Sequence, residues 1–333
     1  MLQLQNHSPF VPFLAVLPDP DGVDTLQVVV KGTFTIFPRV EIAPVQLPAL
    51  LQDQFWAAPD SSSLRAASDA HPGKPSTDVA MVGEAWSERG PVAELLVALA
   101  VAERRKVVRV IGDRRWRDRG AGCTRPEPFQ SMPLRYERAF GGVHNDDRGA
   151  VLAAEERNPV GTGFAGRRAP REMTGTKLPN LEDPRFPVQR AGDRPAPACF
   201  GFVAPSWRPR RDFAGTYDQV WVRTRAPYLP RDFDRRFLNA ASPDLVFDRF
   251  LAGGEPVELH GVSRHGPLRF ALPAHAPKAA VWMAGQTLTP PVRLETVFIE
   301  PDQERLSLTW RATVACDKAA LRIRRVEITM RRP

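Results

Sequence analysis

Six glycine, histidine, carboxylate and thiol features of this chain are spaced in ways that could carry chemistry. GTGFAG at residues 161–166 matches the GxGxxG pattern whose glycines let a backbone approach a dinucleotide pyrophosphate. That use needs a strand before the glycines and a helix after them. Here ERNPV precedes and RRAPR follows, so the hexad reads as a loop of tight turns. HPGK at 71–74 carries the end of a phosphate-binding loop, but Ser68 stands where its first glycine is required. The six histidines, His7, His71, His144, His260, His265 and His275, include no HExxH or other close ligand pair. His260 and His265 face each other only across a turn. Asp232 and Asp234 share one side of an extended segment, the arrangement for holding a cation or for acid–base work. With Arg231, Arg235 and Arg236 beside them, an ion-pair cluster is the simpler reading. Glu137 lies between Arg135 and Arg138 and reads as an ion-paired turn, not a base. Cys199, in the apolar CFGF context, reads as a buried inert thiol. No cofactor and no metal is expected.

Composition narrows the remaining classes. The 333 residues exceed a single usual domain of about 100–150, and 43% hydrophobic with 25% charged residues is ordinary for a globular protein. Three cysteines, Cys123, Cys199 and Cys316, are far apart and form no disulfide framework, which fits a reducing compartment. The N-terminal MLQLQNHSPFVPF lacks a secretory pattern, and no run reaches the ~18 apolar residues of a membrane span. A cytoplasmic location without a membrane partner is expected. The net charge of +8 comes from dispersed arginines. The densest groups are Arg104, Arg105, Lys106, Arg114, Arg115 and Arg117, and then Arg208, Arg210 and Arg211. They are candidate partner patches, and RRWRDR and WRPRRDF leave nucleic-acid binding as a minor alternative because neither run sits in a recognisable module.

The elements that must position these groups read as strands at both ends of the chain. Residues 2–17, 25–38 and 78–86, and a pair across 93–116 turning at 102–106, are strands, although the ELLVALAVA run also has helix formers. Residues 46–75 read as a long exposed connection with room for a short helix. From 119 to 215 the chain is rich in Gly, Pro, Arg and Asn, the texture of an ordered irregular lobe. Helical spacing is best at 214–225 and 242–251, with Ser242 as a cap and Pro243 at the first turn. Strands return at 256–273, as a hairpin turning near 264–266, and at 293–300, 305–315 and 321–330. The predicted fold is mainly β, with antiparallel sandwich or barrel-like lobes, an irregular Pro/Gly-rich middle and a few short helices. Its expected divisions are 1–118, 119–250 and 251–333, the last packed with the first. The 93–116 and 256–273 hairpins hint at two related β lobes.

The densest signature is residues 215–250, where Tyr217, Asp218, Trp221, Asp232, Phe233, Asp234, Arg236, Phe237 and Asn239 interleave aromatics with charges and with the prolines 227, 230 and 243. Trp221, Phe233 and Phe237 are expected in the core, and the acids at a rim. Together with RYERAFGG (135–142), NPVGTGF (158–164), LPNLEDP (178–184), CFGFVAPSWRPR (199–210), residues 250–273 and residues 293–311, this stretch resembles the domain of unknown function 2169 family over the whole chain. That resemblance implies a non-catalytic adaptor or chaperone that loads a secreted effector, often PAAR-linked, onto a VgrG-type spike of type VI secretion. It brings no catalytic residues. Partner contact is expected at Arg135, Tyr136, Glu137, Arg138, Phe140, Asn158, Phe164, Arg167, Arg168 and Asn180, because loops on a strand scaffold are free to present arginine, asparagine and aromatic groups. The alternatives are a hydrolase with a carboxylate site in the middle segment, or a nucleic-acid binder.

Overall fold

In the computed structural model, which describes residues 2–117 and 122–330, the strand Asp24–Thr35 organises the molecule. Leu26, Val28, Val30 and Phe34 enter the main core from one face, as a period of two demands. This strand lies between Val11–Pro18 and Arg305–Ala315; Arg293–Glu300 and then Asp78–Met81 complete the row, and Glu41–Ile42 extends Asp24–Thr35. Lys31 stands opposite Thr309, and Val29 opposite Arg311. Strands from the two ends of the chain therefore share one sheet.

A five-stranded sheet runs Leu181–Glu182, Arg104–Ile111, Glu94–Val101, Pro256–His260, Leu268–Ala271, and a four-stranded sheet joins Gln3–Asn6, Ile323–Met330, Pro277–Met283 and Gln286–Leu288. One core cluster spans all three sheets, and a second, around Trp116, Phe140, Phe164, Met173 and Leu178, lies under the middle segment. The mainly β expectation holds. The barrel-like variant does not, since each described sheet is open.

Four local expectations are corrected. Residues 46–75 contain a small strand pair, Gln54–Phe55 with Leu64–Ala66, instead of a helix, and they are no exposed connection: Ser62, Ser63, Leu64, Asp69 and Lys74 are buried, because the loop covers a face of the central sheet that carries polar side chains. The 93–116 and 256–273 hairpins are neighbours in one sheet, with Leu99 opposite Leu259, and not the centres of two lobes. Helix at 214–225 shrinks to Gln219–Thr224, halted where Pro227 follows. At 242–251 only Pro243–Leu245 turns, as 3-10, and the Ser242 hydroxyl donates to the Asp244 carboxylate instead of capping. The domain boundary at 118/119 and the end of RRWRDR fall outside the described residues.

Candidate partner-binding site

Three of the sequence motifs meet in space. Tyr136–Arg138 makes a single 3-10 turn between extended residues, and Phe140–Gly141 then pairs in parallel with Thr162–Gly163. Asn158, fully buried, ties the two: its Nδ2 donates to the carbonyls of Tyr136 at 2.7 Å and Phe140 at 3.0 Å. The third motif closes on the first. Asn180 N–H donates to the Arg138 carbonyl at 2.8 Å, the Arg138 guanidinium donates to Asn180 Oδ1 at 3.0 Å, and Asn180 Nδ2 reaches Ile111 O and Asp113 Oδ1, both at 2.9 Å. Residues far apart in sequence thus share their buried polar groups, as buried amides must.

The knot is bolted to the covering loop of the central sheet. Glu137 accepts from Ser63 N–H at 2.7 Å and Ser63 Oγ–H at 2.8 Å, and Arg135 lies 3.5 Å from the centre of the Trp56 ring. Glu137 is spent on positioning and is no free base. Tyr136, Phe140, Asn158, Phe164 and Asn180 are buried, so these five expected contact residues shape the site from beneath and do not present themselves. Arg168 is half-buried and donates to the carbonyls of Phe164 at 2.7 Å and Ala165 at 3.0 Å, while the Arg167 side chain is exposed. Above the knot runs a groove of ≈ 380 Å³ between the glycine backbones of 141–142 and 161–163, edged by Arg168, Thr176 and Lys177; its lining contains no carboxylate.

A family model matches residues 21–311. This chain belongs to that family, described as uncharacterized protein conserved in bacteria (DUF2169). Neither the curated proteins nor the solved structures include a match.

In this DUF2169 protein residues 215–237 form a surface bracket, while Ala240, Ala241, Leu245 and Phe247 after it join the main core. Trp221, Phe233 and Phe237 are half-buried, which corrects the core expectation: they pack in pairs along the surface, Tyr217 on Trp221 at 4.7 Å and Phe233 on Phe237 at 5.7 Å, and Trp221 Nε1–H donates to Tyr228 O at 2.9 Å. Asp218 caps the helix by accepting from Trp221 N–H at 2.8 Å. Asp232 accepts from Thr216 N–H at 3.0 Å and its hydroxyl at 2.7 Å, bonds that hold its carboxyl below the usual range. Asp234 is held low by its pairing with Arg236. Each carboxylate has its own local partner, so the two do not converge on a cation or an acid–base pair. Asn239 leaves the bracket and enters the interior, where its Nδ2 donates to Asp78 Oδ1 at 2.7 Å.

That contact leads to a cluster that reading the sequence missed. On the covered face of the central sheet lie three buried ion pairs: Lys31–Asp69 at 2.9 Å, Lys74–Asp78 at 2.8 Å and Arg311–Glu295 at 2.7 Å. The available signal was Lys31 and Arg311, each alone in an apolar strand; their acids come from the covering loop and a neighbouring strand. HPGK therefore contributes a structural lysine. His71 sits beside Arg311 and Glu295 with Nδ1 accepting from Gly73 N–H at 3.2 Å. Burial, reinforced by the Arg311 charge, holds its imidazole well below the usual range. The folded state thus favours neutral His71 while the unfolded chain takes up a proton near pH ~6.5, so stability is lost as pH falls through that value, at up to about 1.4 kcal/mol per pH unit. Between about pH 7.5 and about pH 5.5 the unfolding free energy of wild type is expected to fall more than that of His71→Gln; equal slopes in urea titrations would refute this.

The other candidates resolve locally. His265 pairs with Glu304 at 2.8 Å and stacks on Phe37 at 3.7 Å, His260 lies 3.7 Å from Glu258, and among the described residues no group of three or more His, Cys, Asp or Glu could hold a metal. Burial pushes the Cys199 thiol up to about 11, and it donates to Leu134 O. Gly166 of GTGFAG packs against His144, in a loop. Of the arginine groups, Arg114 is buried against Glu182, Arg208 and Arg211 pair with Glu156, and Arg210 donates to Val203 O and Phe237 O. Among the described residues no helix is long and apolar enough to cross a membrane.

Proposed function

We propose that this protein is a non-catalytic adaptor that binds a secreted effector, PAAR-linked in the case the family resemblance suggests, and promotes its loading onto a VgrG-type spike. The observation that carries the reading is the convergence of three family motifs into one knot, tied by the Asn158 and Asn180 amides, under a groove edged by cations and free of acids. A preformed groove of this kind lowers the ordering cost of capturing a partner segment. The hydrolase alternative is disfavoured by Glu137, Asp232 and Asp234 each holding a separate loop. Nucleic-acid binding is disfavoured because Arg114 is already paired with Glu182, and Arg208 and Arg211 with Asp212 and Glu156.

The test is charge reversal at the groove. Lys177→Glu at the groove edge combined with Arg167→Glu, next in sequence to the edge residue Arg168, changes two exposed positions and is expected to leave the melting temperature within about 2 °C and to weaken effector capture in a co-expression pull-down at least about tenfold. Undiminished capture by the folded double variant would defeat this placement of the site.

A further inference from the structure

The strand Arg104–Ile111 is paired along its whole length with Glu94–Val101, but its other edge carries only Leu181–Glu182, opposite Arg109 and Val110. Ile111 shows which way that edge points. Its N–H donates to Asn180 O at 2.8 Å and its carbonyl accepts from Asn180 Nδ2 at 2.9 Å. Alternate residues of a strand direct their main-chain groups to the same side, so Arg105 and Val107 aim N–H and C=O outward along this edge. Continued pairing would set Asp183 opposite Val108 and Pro184 opposite Val107, where proline has no N–H to give, and the ladder stops.

The open edge does not face bare solvent. It floors a groove of ≈ 580 Å³ walled by Pro184, Phe186, Pro197 and Pro243, with Phe186 62% exposed. Lys106 is buried against Asp244 and Arg185 pairs with Asp183, whereas Arg105 is exposed and, among the described residues, makes no ion pair. The lining therefore carries one uncompensated positive charge, on the strand edge itself.

We propose that this groove is a strand-addition site: an extended segment of a partner protein pairs with the Arg105–Val107 edge, placing an acidic residue opposite Arg105 and, two positions along, an apolar residue beside Val107. Main-chain bonds would supply the affinity and this cross-strand pair the selectivity. The inference goes beyond the adaptor reading, since it concerns an edge apart from the motif groove and holds for any peptide of this pattern.

The test is a phage-displayed library of random dodecapeptides selected on the full chain, with synthetic copies of the winners measured by fluorescence anisotropy. Selected peptides are expected to carry Asp or Glu two positions from Val, Ile or Thr and to lose at least about tenfold in affinity for Val107→Pro, a change that removes an outward N–H and leaves the ladder to Glu94–Val101 intact. Arg105→Glu provides the same reading should the proline variant fail to fold, and is expected to weaken acidic peptides similarly. An absence of enriched peptides, winners that bind the folded variants undiminished, or wild-type dimers that Arg105→Glu dissociates would each overturn the proposal, the last because a second copy would own the edge.

Discussion

Asp78→Ala is expected to destabilise the protein by about 3–5 kcal/mol, more than any surface change. Asp78 is fully buried, and its carboxylate accepts from Lys74 Nζ at 2.8 Å, Asn239 Nδ2 at 2.7 Å and Ala240 N–H at 2.6 Å. Removing it strands the Lys74 ammonium, whose side chain is 2% exposed, leaves the Ala240 and Ala241 N–H groups without this acceptor and reduces the Asn239 amide to its bond with Ser76 O. It also releases residues 239–241 from the Asp78–Met81 strand, loosening the bracket from the sheet. Most of that cost is the uncompensated charge, so adding Lys74→Met should recover about 2 kcal/mol. Urea denaturation of the single and double variants checks both values. A single variant within about 1 kcal/mol of wild type would show that this pair is not what holds the loop down.

The second large effect is expected at Gly163, where Ala should cost about 3 kcal/mol. Gly163 has φ +96°, and a Cβ there would lie 2.8 Å from Pro179 Cδ, so backbone strain and overpacking add. The contact joins NPVGTGF to LPNLEDP and sets the width of the knot. Gly175 is the control: it has φ +79° and nothing within 4 Å of its would-be Cβ, so Gly175→Ala carries the strain of about 1 kcal/mol alone. Similar losses at both positions would remove the argument that the motifs are packed against each other.

What could be read from residues alone follows period and punctuation. Alternation located Arg305–Ala315, where Leu306, Leu308, Trp310, Ala312 and Val314 share one face, whereas Asp24–Thr35 and Arg293–Glu300 were legible as runs rich in β-branched and aromatic residues, buried on both faces. The short Pro277–Met283 and Gln286–Leu288 strands escaped because the run PAHAPKAAVWMAGQTLTPP is divided by proline and alanine and lacks clear alternation. The motifs RYERAFGG, NPVGTGF and LPNLEDP were visible as strings, but their mutual packing was not. Asn158 looks like a surface amide until the carbonyls of Tyr136 and Phe140 are placed beside it. The ion cluster was hidden for the same reason: Arg311 and the Asp69 carbonyl that accepts its bond at 2.6 Å are separated by most of the chain. Aromatic spacing misled at 217–237, where Trp221 and Phe237 find partners within the bracket itself and need no shared core, whereas Phe247 does enter the main core.

The adaptor function we propose requires that this DUF2169 protein act by stoichiometric protein binding. Its most direct test is the native mass of the particle recovered when the tagged chain is co-expressed with a PAAR-linked effector and a VgrG-type spike protein. The account predicts a discrete complex containing the chain and the effector in a fixed ratio, with the effector insoluble or absent from the spike when the chain is omitted. A chain recovered alone, with the effector reaching the spike equally well without it, would contradict the account.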